Sequence, residues 1–172
     1  EIVRRFNGLF GEVLVEPKSL ITKGARVMGL DGDAKMSKSK GNYIGIMEEP
    51  EAIWAKLAPA KTDENRKRRS DPGDPEKCNI YSLHRFFTDA EGLDWAAEGC
   101  RSAGIGCFDC KKRLLEGIDR EFAPIRKKRQ ELENNPERVI NYIEEGAARC
   151  REIARETMGA VREAIGTGAI RH

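Results

Sequence analysis

Apolar positions in the first third of the chain come in short stretches that predict two short helices. Residues 2–7 have apolar side chains at positions 2, 3 and 6, and Gly8 fits the C-cap of such a helix. Residues 9–31 are mixed and predict a loop with a short strand. Pro50 fits the first position of a helix that continues through Leu57, because that position needs no backbone N–H.

From Pro75 onward the chain shows the 3.6-residue period of helices. A first helix carries one apolar face, made of Ile80, Leu83, His84 and Phe87. A long basic helix is predicted over residues 107–133, with a kink expected at Pro124. A last helix follows the break at residues 134–136, and we expect its apolar stripe to pack in the core. That stripe comprises Val139, Ile143, Cys150, Ala154, Val161 and Ile165.

The stretch between the two halves has the composition of a linker. Residues 58–75 contain Pro59, four consecutive basic residues and the run DPGDP. We therefore place a domain boundary here, which divides the chain into residues 1–58 and residues 59–172. The expected fold class is mainly α.

Charge changes this picture only locally. The 172 residues include 31 lysines and arginines against 29 aspartates and glutamates, so the net charge is only +2. Three basic runs nevertheless suggest an RNA-phosphate surface, with solvated helix faces as the alternative. These runs are residues 66–69, 111–113 and 126–129. No apolar stretch approaches membrane-spanning length and no signal peptide is recognisable, so we expect a cytoplasmic protein with no membrane partner.

Residues 35–42 read KMSKSKGN, and only one of these eight residues is apolar. Glycines at positions 29, 32 and 41 surround the run, which predicts a mobile loop. Lysine carries a compact charge on a flexible stem, and serine hydroxyls and backbone N–H groups are neutral donors to the same oxygens. The run is therefore typical of a phosphate-binding loop.

Four of the five cysteines follow the spacing C-x21-C-x6-C-x2-C, at Cys78, Cys100, Cys107 and Cys110. Two thiolates separated by two residues can chelate one metal centre, and the other two can come from neighbouring elements. Without a secretory signal, a disulfide framework is not expected, and unrelated buried cysteines are the alternative. The spacing suits tetrahedral zinc and a [4Fe–4S] cluster equally well.

Two further residues are assigned structural roles. Cys150 lies among alanines on the apolar stripe of the last helix, so we expect it in the core. His84 is expected to be a half-buried helical histidine near Cys78 rather than a metal ligand.

The run at 35–39 is identical to the KMSKS signature of class I aminoacyl-tRNA synthetases, and the Gly-Asn that follows extends the similarity. The whole chain resembles the C-terminal half of bacterial tryptophanyl-tRNA synthetases, in the subgroup that carries a [4Fe–4S] cluster. Outside the signature, the resemblance is carried by residues 1–7, 24–32, 62–63, 71–76, 99–101 and 106–112. It implies the end of a Rossmann-type catalytic domain, followed by an α-helical anticodon-binding domain.

The resemblance also implies a reaction: tryptophan and ATP form tryptophanyl-adenylate, and tryptophan is then transferred to tRNA(Trp). Lys35 and Lys38 would be catalytic, neutralising the β- and γ-phosphates as the bond to the α-phosphorus breaks. The remaining ATP contacts would come from Ser37 and Ser39 through their hydroxyls, and from Val27 and Met36 through their backbones. Mg²⁺ would accompany ATP, and the helical part would recognise the CCA anticodon.

The four spaced cysteines would hold the cluster, with Zn²⁺ as the alternative. The family's His-Ile-Gly-His-like motif and tryptophan pocket are not found in the sequence, so we expect a fragment that does not form the adenylate by itself. The full-length enzyme is expected to be a homodimer. Two competing hypotheses are a noncatalytic RNA-binding or redox-sensing metal module derived from a synthetase, and a zinc-bound structural helical domain.

Overall fold

The computed structural model describes residues 1–22, 24 and 26–167, and most of them are helical. Six α-helices follow one another in this described part: α1 (Ile2–Phe10), α2 (Pro50–Leu57), α3 (Asn79–Phe87), α4 (Ala90–Arg101), α5 (Cys107–Glu133) and α6 (Pro136–Ala164). Within the same residues, extended pairing is limited to one isolated antiparallel bridge between Met28 and Lys35. The mainly α fold class is confirmed, and the short strand expected within residues 9–31 is reduced to this bridge.

Local sequence signals set the ends of these helices. Pro50 and Pro136 occupy the beginnings of α2 and α6, where a residue without an N–H is tolerated. The long basic helix predicted over residues 107–133 is confirmed as α5, with Pro124 inside it. At the start of α4, the Asp89 carboxylate accepts a hydrogen bond of 2.8 Å from the backbone N–H of Gly92.

The chain divides into two compact units. One comprises Ile21–Gln130, and the other comprises Glu1–Leu20 together with Glu131–His172. The domain boundary placed after residue 58 lies inside the first unit and stays a prediction.

The core of the first unit joins α2, α3 and α5 to the loop before α2. Its buried members are Leu30, Ile53, Leu57, Ala60, Ile80, Leu83, Leu114 and Ile118. The predicted apolar face of α3 is confirmed, because Ile80, Leu83 and His84 are buried and Phe87 packs against the cluster. Where α5 passes the end of α3, a Cβ on Gly117 would lie 2.2 Å from the Phe87 carbonyl oxygen, so only glycine permits this approach.

The apolar stripe of α6 is not buried. No residue of α6 is buried, and the Ile143 side chain is 65% exposed. Cys150 is exposed as well, so the expectation that it lies in the core is wrong. The period of apolar residues predicts that a helix is amphipathic. It does not predict whether another element packs on the apolar face. Among the described residues, no helix is long and apolar enough to cross a membrane.

Candidate functional site

The KMSKS run begins at the end of a tight hairpin. The Met36 N–H donates to the Val27 carbonyl at 2.9 Å, and the Gly29 N–H donates to the Ala34 carbonyl at 2.8 Å. Val27 and Met36 also pack against the core cluster. Their packing and pairing fix the root of the loop, whereas their expected backbone contacts with adenine stay a prediction.

Beyond the hairpin, the signature forms a single 3₁₀ turn over Lys38–Lys40. The Ser37 hydroxyl accepts a hydrogen bond of 3.3 Å from the Lys40 N–H and lies 3.0 Å from the Ser39 hydroxyl. Gly41 ends the turn with φ +68°, a conformation that side chains disfavour. This geometry places two hydroxyls side by side on a short loop.

The lysines of the signature point outward. Lys35 and Lys38 are exposed, whereas Met36 and Ser37 are partly buried. Long side chains on an anchored turn can follow a phosphate that moves during a reaction, because the ammonium group moves without the backbone. The structure therefore supports binding of a polyanion at this loop.

The four spaced cysteines lie at or next to the ends of three helices of the first unit. Cys78 precedes α3, Cys100 lies near the end of α4, and Cys107 and Cys110 lie in the first turn of α5. Burial, together with the smaller effect of the charges of the other three thiols, raises the pKa of the Cys110 thiol to about 12. Cys78, Cys100 and Cys107 are therefore close enough to Cys110 to affect the ionisation of its thiol.

Arg66 connects this cysteine centre to the segment before α3. Its guanidinium donates to the Ile105 carbonyl at 2.6 Å and approaches the Cys100 sulfur at 3.9 Å. Burial raises the pKa of the Cys100 thiol, and the Arg66 charge opposes that rise. Gly73 leaves room for this thiol, because a Cβ there would lie 2.6 Å from the Cys100 sulfur.

The donor chemistry of this centre fits a soft metal, since thiols are the ligands that zinc and iron–sulfur clusters prefer. Within the described residues, no set of three or more His, Cys, Asp or Glu side chains has the arrangement of a preformed metal site. Thiols with raised pKa values are protonated at neutral pH, so a metal would have to displace their protons on binding.

His84 is fully buried rather than half-buried, and it contacts Cys110. Its Nδ1 lies 2.8 Å from the Thr88 hydroxyl, and its Nε2 lies 3.1 Å from the Cys110 carbonyl oxygen and 3.3 Å from the Cys110 sulfur. Burial lowers the pKa of His84 to about 4. Both ring nitrogens have partners within the protein, as expected of a histidine that belongs to the core.

The basic runs do not form one solvated surface. In the second run Lys111 is only 4% exposed, and its ammonium donates to the Ala58 and Ala60 carbonyls, each at 2.7 Å. In the third run Arg126 pairs with Asp119 and donates to the Glu48 carbonyl at 3.2 Å.

Sequence reasoning missed the burial of Lys111 because two more basic residues follow it. The available signal was helical spacing: Lys111 lies three residues before Leu114 and seven before Ile118, both of which are fully buried. Position 111 therefore belongs to the buried face of α5.

Replacing Lys111 with methionine is expected to destabilise the first unit by about 2 kcal/mol, because two carbonyl oxygens lose a charged donor. Lys112→Met, one position further on an exposed side chain, is the matched control and should change the free energy of unfolding by less than about 0.5 kcal/mol. Urea unfolding followed by circular dichroism measures both. Equal effects of the two substitutions would contradict this role for Lys111.

The family model and the relatives that match this chain are all class I tRNA synthetases. Residues 1–123 match the family model described as tRNA synthetases class I (W and Y). The tryptophan–tRNA ligase of Deinococcus radiodurans is 47% identical over 167 residues, which cover 96% of this chain and 51% of that protein. The tryptophan–tRNA ligase of Thermotoga maritima is 41% identical over 166 residues, which cover 96% of this chain and 50% of that protein.

Solved structures give the same picture. A crystal structure of tryptophanyl-tRNA synthetase from Campylobacter jejuni, in complex with ADP and tryptophan, superimposes with a TM-score of 0.76 and 31% sequence identity. The match covers 96% of this chain and 51% of the Campylobacter chain. The chain thus spans about half the length of the curated relatives it matches.

Proposed function

Because the chain belongs to the class I tRNA synthetases of the tryptophan and tyrosine family, we propose that it is the C-terminal part of a tryptophan–tRNA ligase. The observation that carries this proposal is the exposed KMSKS turn, anchored at its root and rich in donors to phosphate. The relatives' names favour tryptophan over tyrosine as the amino acid. The substrates would be tryptophan, ATP with Mg²⁺, and tRNA(Trp).

In this function Lys35 and Lys38 neutralise charge that develops on the β- and γ-phosphates of ATP. Charge placed where it develops in the transition state lowers the barrier without participating in bonding. Ser37 and Ser39 add hydroxyl donors from the same turn, 3.0 Å apart. Val27 and Met36 would border the adenine.

A chimera tests this proposal. The half of the Deinococcus radiodurans ligase that this chain matches is replaced by the chain, and tryptophan-dependent ATP–pyrophosphate exchange is measured. We expect exchange, and we expect Lys38→Ala to lower kcat by about a hundredfold, as for loss of one positioned charge. Lys40→Ala, on the same turn but outside the five signature positions, is the control and should stay near the unsubstituted rate.

The outcomes separate the two classes of function. An active chimera that tolerates Lys38→Ala would contradict the assigned lysine role. A folded chimera without exchange would favour a noncatalytic RNA-binding or redox-sensing module.

We propose further that Cys78, Cys100, Cys107 and Cys110 hold a [4Fe–4S] cluster, with Zn²⁺ as the alternative. Support comes from the positions of these cysteines at the ends of three helices, and from neighbouring thiols that help to raise the pKa of Cys100 and of Cys110. A bound centre would link the starts of α3 and α5 to the end of α4, so its binding energy would stabilise the fold. The resident group would supply this link, while Arg66 offsets the negative charge of the thiolates.

Absorption and metal analysis of protein purified without oxygen test this centre. We expect a broad band near roughly 400 nm with iron and sulfide present, lost in Cys107→Ser. Cys150→Ser is the matched control, because this exposed cysteine lies outside the centre, and it should keep the band. A colourless protein with about one zinc per chain would establish the alternative, and protein without either metal would refute the centre.

The RNA partner would meet the first basic run rather than the other two. Residues 66–69 line a cavity of about 290 Å³ together with the start of α5. Phe108 at this cavity is 59% exposed and packs edge-on against Trp54, with ring centroids 5.8 Å apart. An exposed aromatic ring beside arginines suits a single-stranded base and its phosphates. We therefore assign tRNA contact to this surface.

A further inference from the structure

We propose that Asn42 is a positioning residue, whose buried side-chain amide closes the signature loop and holds Lys35 and Lys38 in place for the phosphates. The inference rests on the proposed function, because it assigns Asn42 a part in the same reaction. In the sequence Asn42 only extends the signature, and its role becomes visible from its contacts.

The side chain of Asn42 joins three points of the loop. Its Nδ2 donates to the Asp31 carboxylate at 2.7 Å and approaches the Lys35 carbonyl oxygen at 3.4 Å. Its Oδ1 accepts a hydrogen bond of 2.8 Å from the Ser37 N–H. The amide thus contacts the backbone of Lys35 and of Ser37, on either side of Met36. Ser37 directly precedes Lys38.

The side-chain amide of Asn42 is buried and fits closely among its neighbours. Asn42 is only 6% exposed, in contrast to the exposed lysines beside it. A Cβ at Gly29 would lie 2.0 Å from Asn42 Nδ2, so glycine at 29 leaves the space that the amide occupies. The Leu30 N–H also donates to the Asn42 carbonyl oxygen at 2.9 Å, which fixes the backbone of Asn42.

Asp31 orients the amide and thereby sets its polarity. Its Oδ2 accepts from Asn42, and its Oδ1 accepts from the N–H groups of Asp33 and Ala34 at 3.1 and 3.4 Å. The hydrogen bond from Asn42 is the main cause of a lowered pKa at Asp31. An ionised Asp31 accepts only, so the Asn42 side chain must present its NH₂ to Asp31 and its carbonyl oxygen to Ser37.

Hydrogen bonds from Asn79 and Lys61 connect the loop to the segments that pack next to it. The Asn79 side chain at the start of α3 donates to the Gly29 carbonyl at 2.7 Å, and the Lys61 N–H donates to the Leu30 carbonyl at 3.1 Å. With the loop root fixed to the core, the lysine ammonium groups reach the phosphates mainly by rotation of their own side chains. Such positioning raises kcat rather than substrate affinity, because it acts where charge develops.

Exchanging the donor and the acceptor between Asn42 and Asp31 tests the role of their hydrogen bond. Asn42→Asp places two carboxylates together, whereas Asp31→Asn with Asn42→Asp restores the hydrogen bond with donor and acceptor exchanged. In the reversed pair, residue 42 still offers an oxygen to the Ser37 N–H, and residue 31 still offers one to Asp33 and Ala34. The two variants have nearly the same shape and differ in pairing.

The first readout is hydrogen exchange of the Ser37 amide, measured by NMR on the 172-residue chain. We expect Asn42→Asp to lower its protection by about tenfold and the double variant to restore it. Unchanged helix content by circular dichroism shows that the variants fold. If the Ser37 amide kept its full protection in Asn42→Asp, or did not regain it in the double variant, the Asn42 side chain would not close the signature loop.

The second readout is ATP–pyrophosphate exchange in the chimera described above. We expect Asn42→Asp to lower kcat by about tenfold with little change in KM for ATP, and the double variant to recover most of it. An active chimera in which Asn42→Asp keeps full kcat would overturn the positioning role. If the unsubstituted chimera were inactive, the proposed function would fail, while amide exchange would still decide the closure.

Discussion

One buried ammonium group joins the two elements on which this fold depends. Lys111, in the first turns of α5, donates to the Ala58 and Ala60 carbonyls just beyond α2. Burial lowers its pKa, which is the cost of a charge away from water, and the two carbonyl oxygens offset that cost. The contact fixes the start of α5 on the end of α2, and that start also carries Cys107 and Cys110.

From this junction two chemically different sites extend. On one side, the loop before α2 contributes Leu30 to the core and continues into the signature turn. On the other side, the starts of α3 and α5 and the end of α4 carry the four spaced cysteines. Cys78 and Asn79 are neighbours in the chain, and Asn79 holds the Gly29 carbonyl at the root of the signature loop. The residue that follows Cys78 is thus hydrogen-bonded to the root of the phosphate loop.

The sequence predicted the parts of this fold that local signals determine. Pro50 marked the start of α2, and the break at residues 134–136 separated α5 from α6. That the four spaced cysteines form one metal centre stays a prediction, and within the described residues no set of three or more such side chains has the arrangement of a preformed site. Cysteine spacing alone could not choose between zinc and an iron–sulfur cluster, since both accept the same thiolates.

Burial and contacts that depend on residues far away in the chain could not be predicted from the sequence. Lys111 was assigned to a basic surface because charge runs are usually solvated, and its partners are more than fifty residues away. Cys150 was assigned to the core because a stripe at helical spacing usually packs, yet no residue of α6 is buried. Asn42 acts through atoms at Asp31, Lys35 and Ser37, which only the folded loop brings together.

We propose that this chain serves tryptophan–tRNA ligation, and selective binding of tRNA tests that function most directly. The affinity of the chain, purified without oxygen, is measured at one fixed salt concentration for tRNA(Trp) and for a transcript with one base of the CCA anticodon changed. We expect at least about tenfold weaker binding of the changed transcript, since a base-specific contact is worth more than about 1.4 kcal/mol. Equal affinity for both transcripts and for an unrelated tRNA would contradict it.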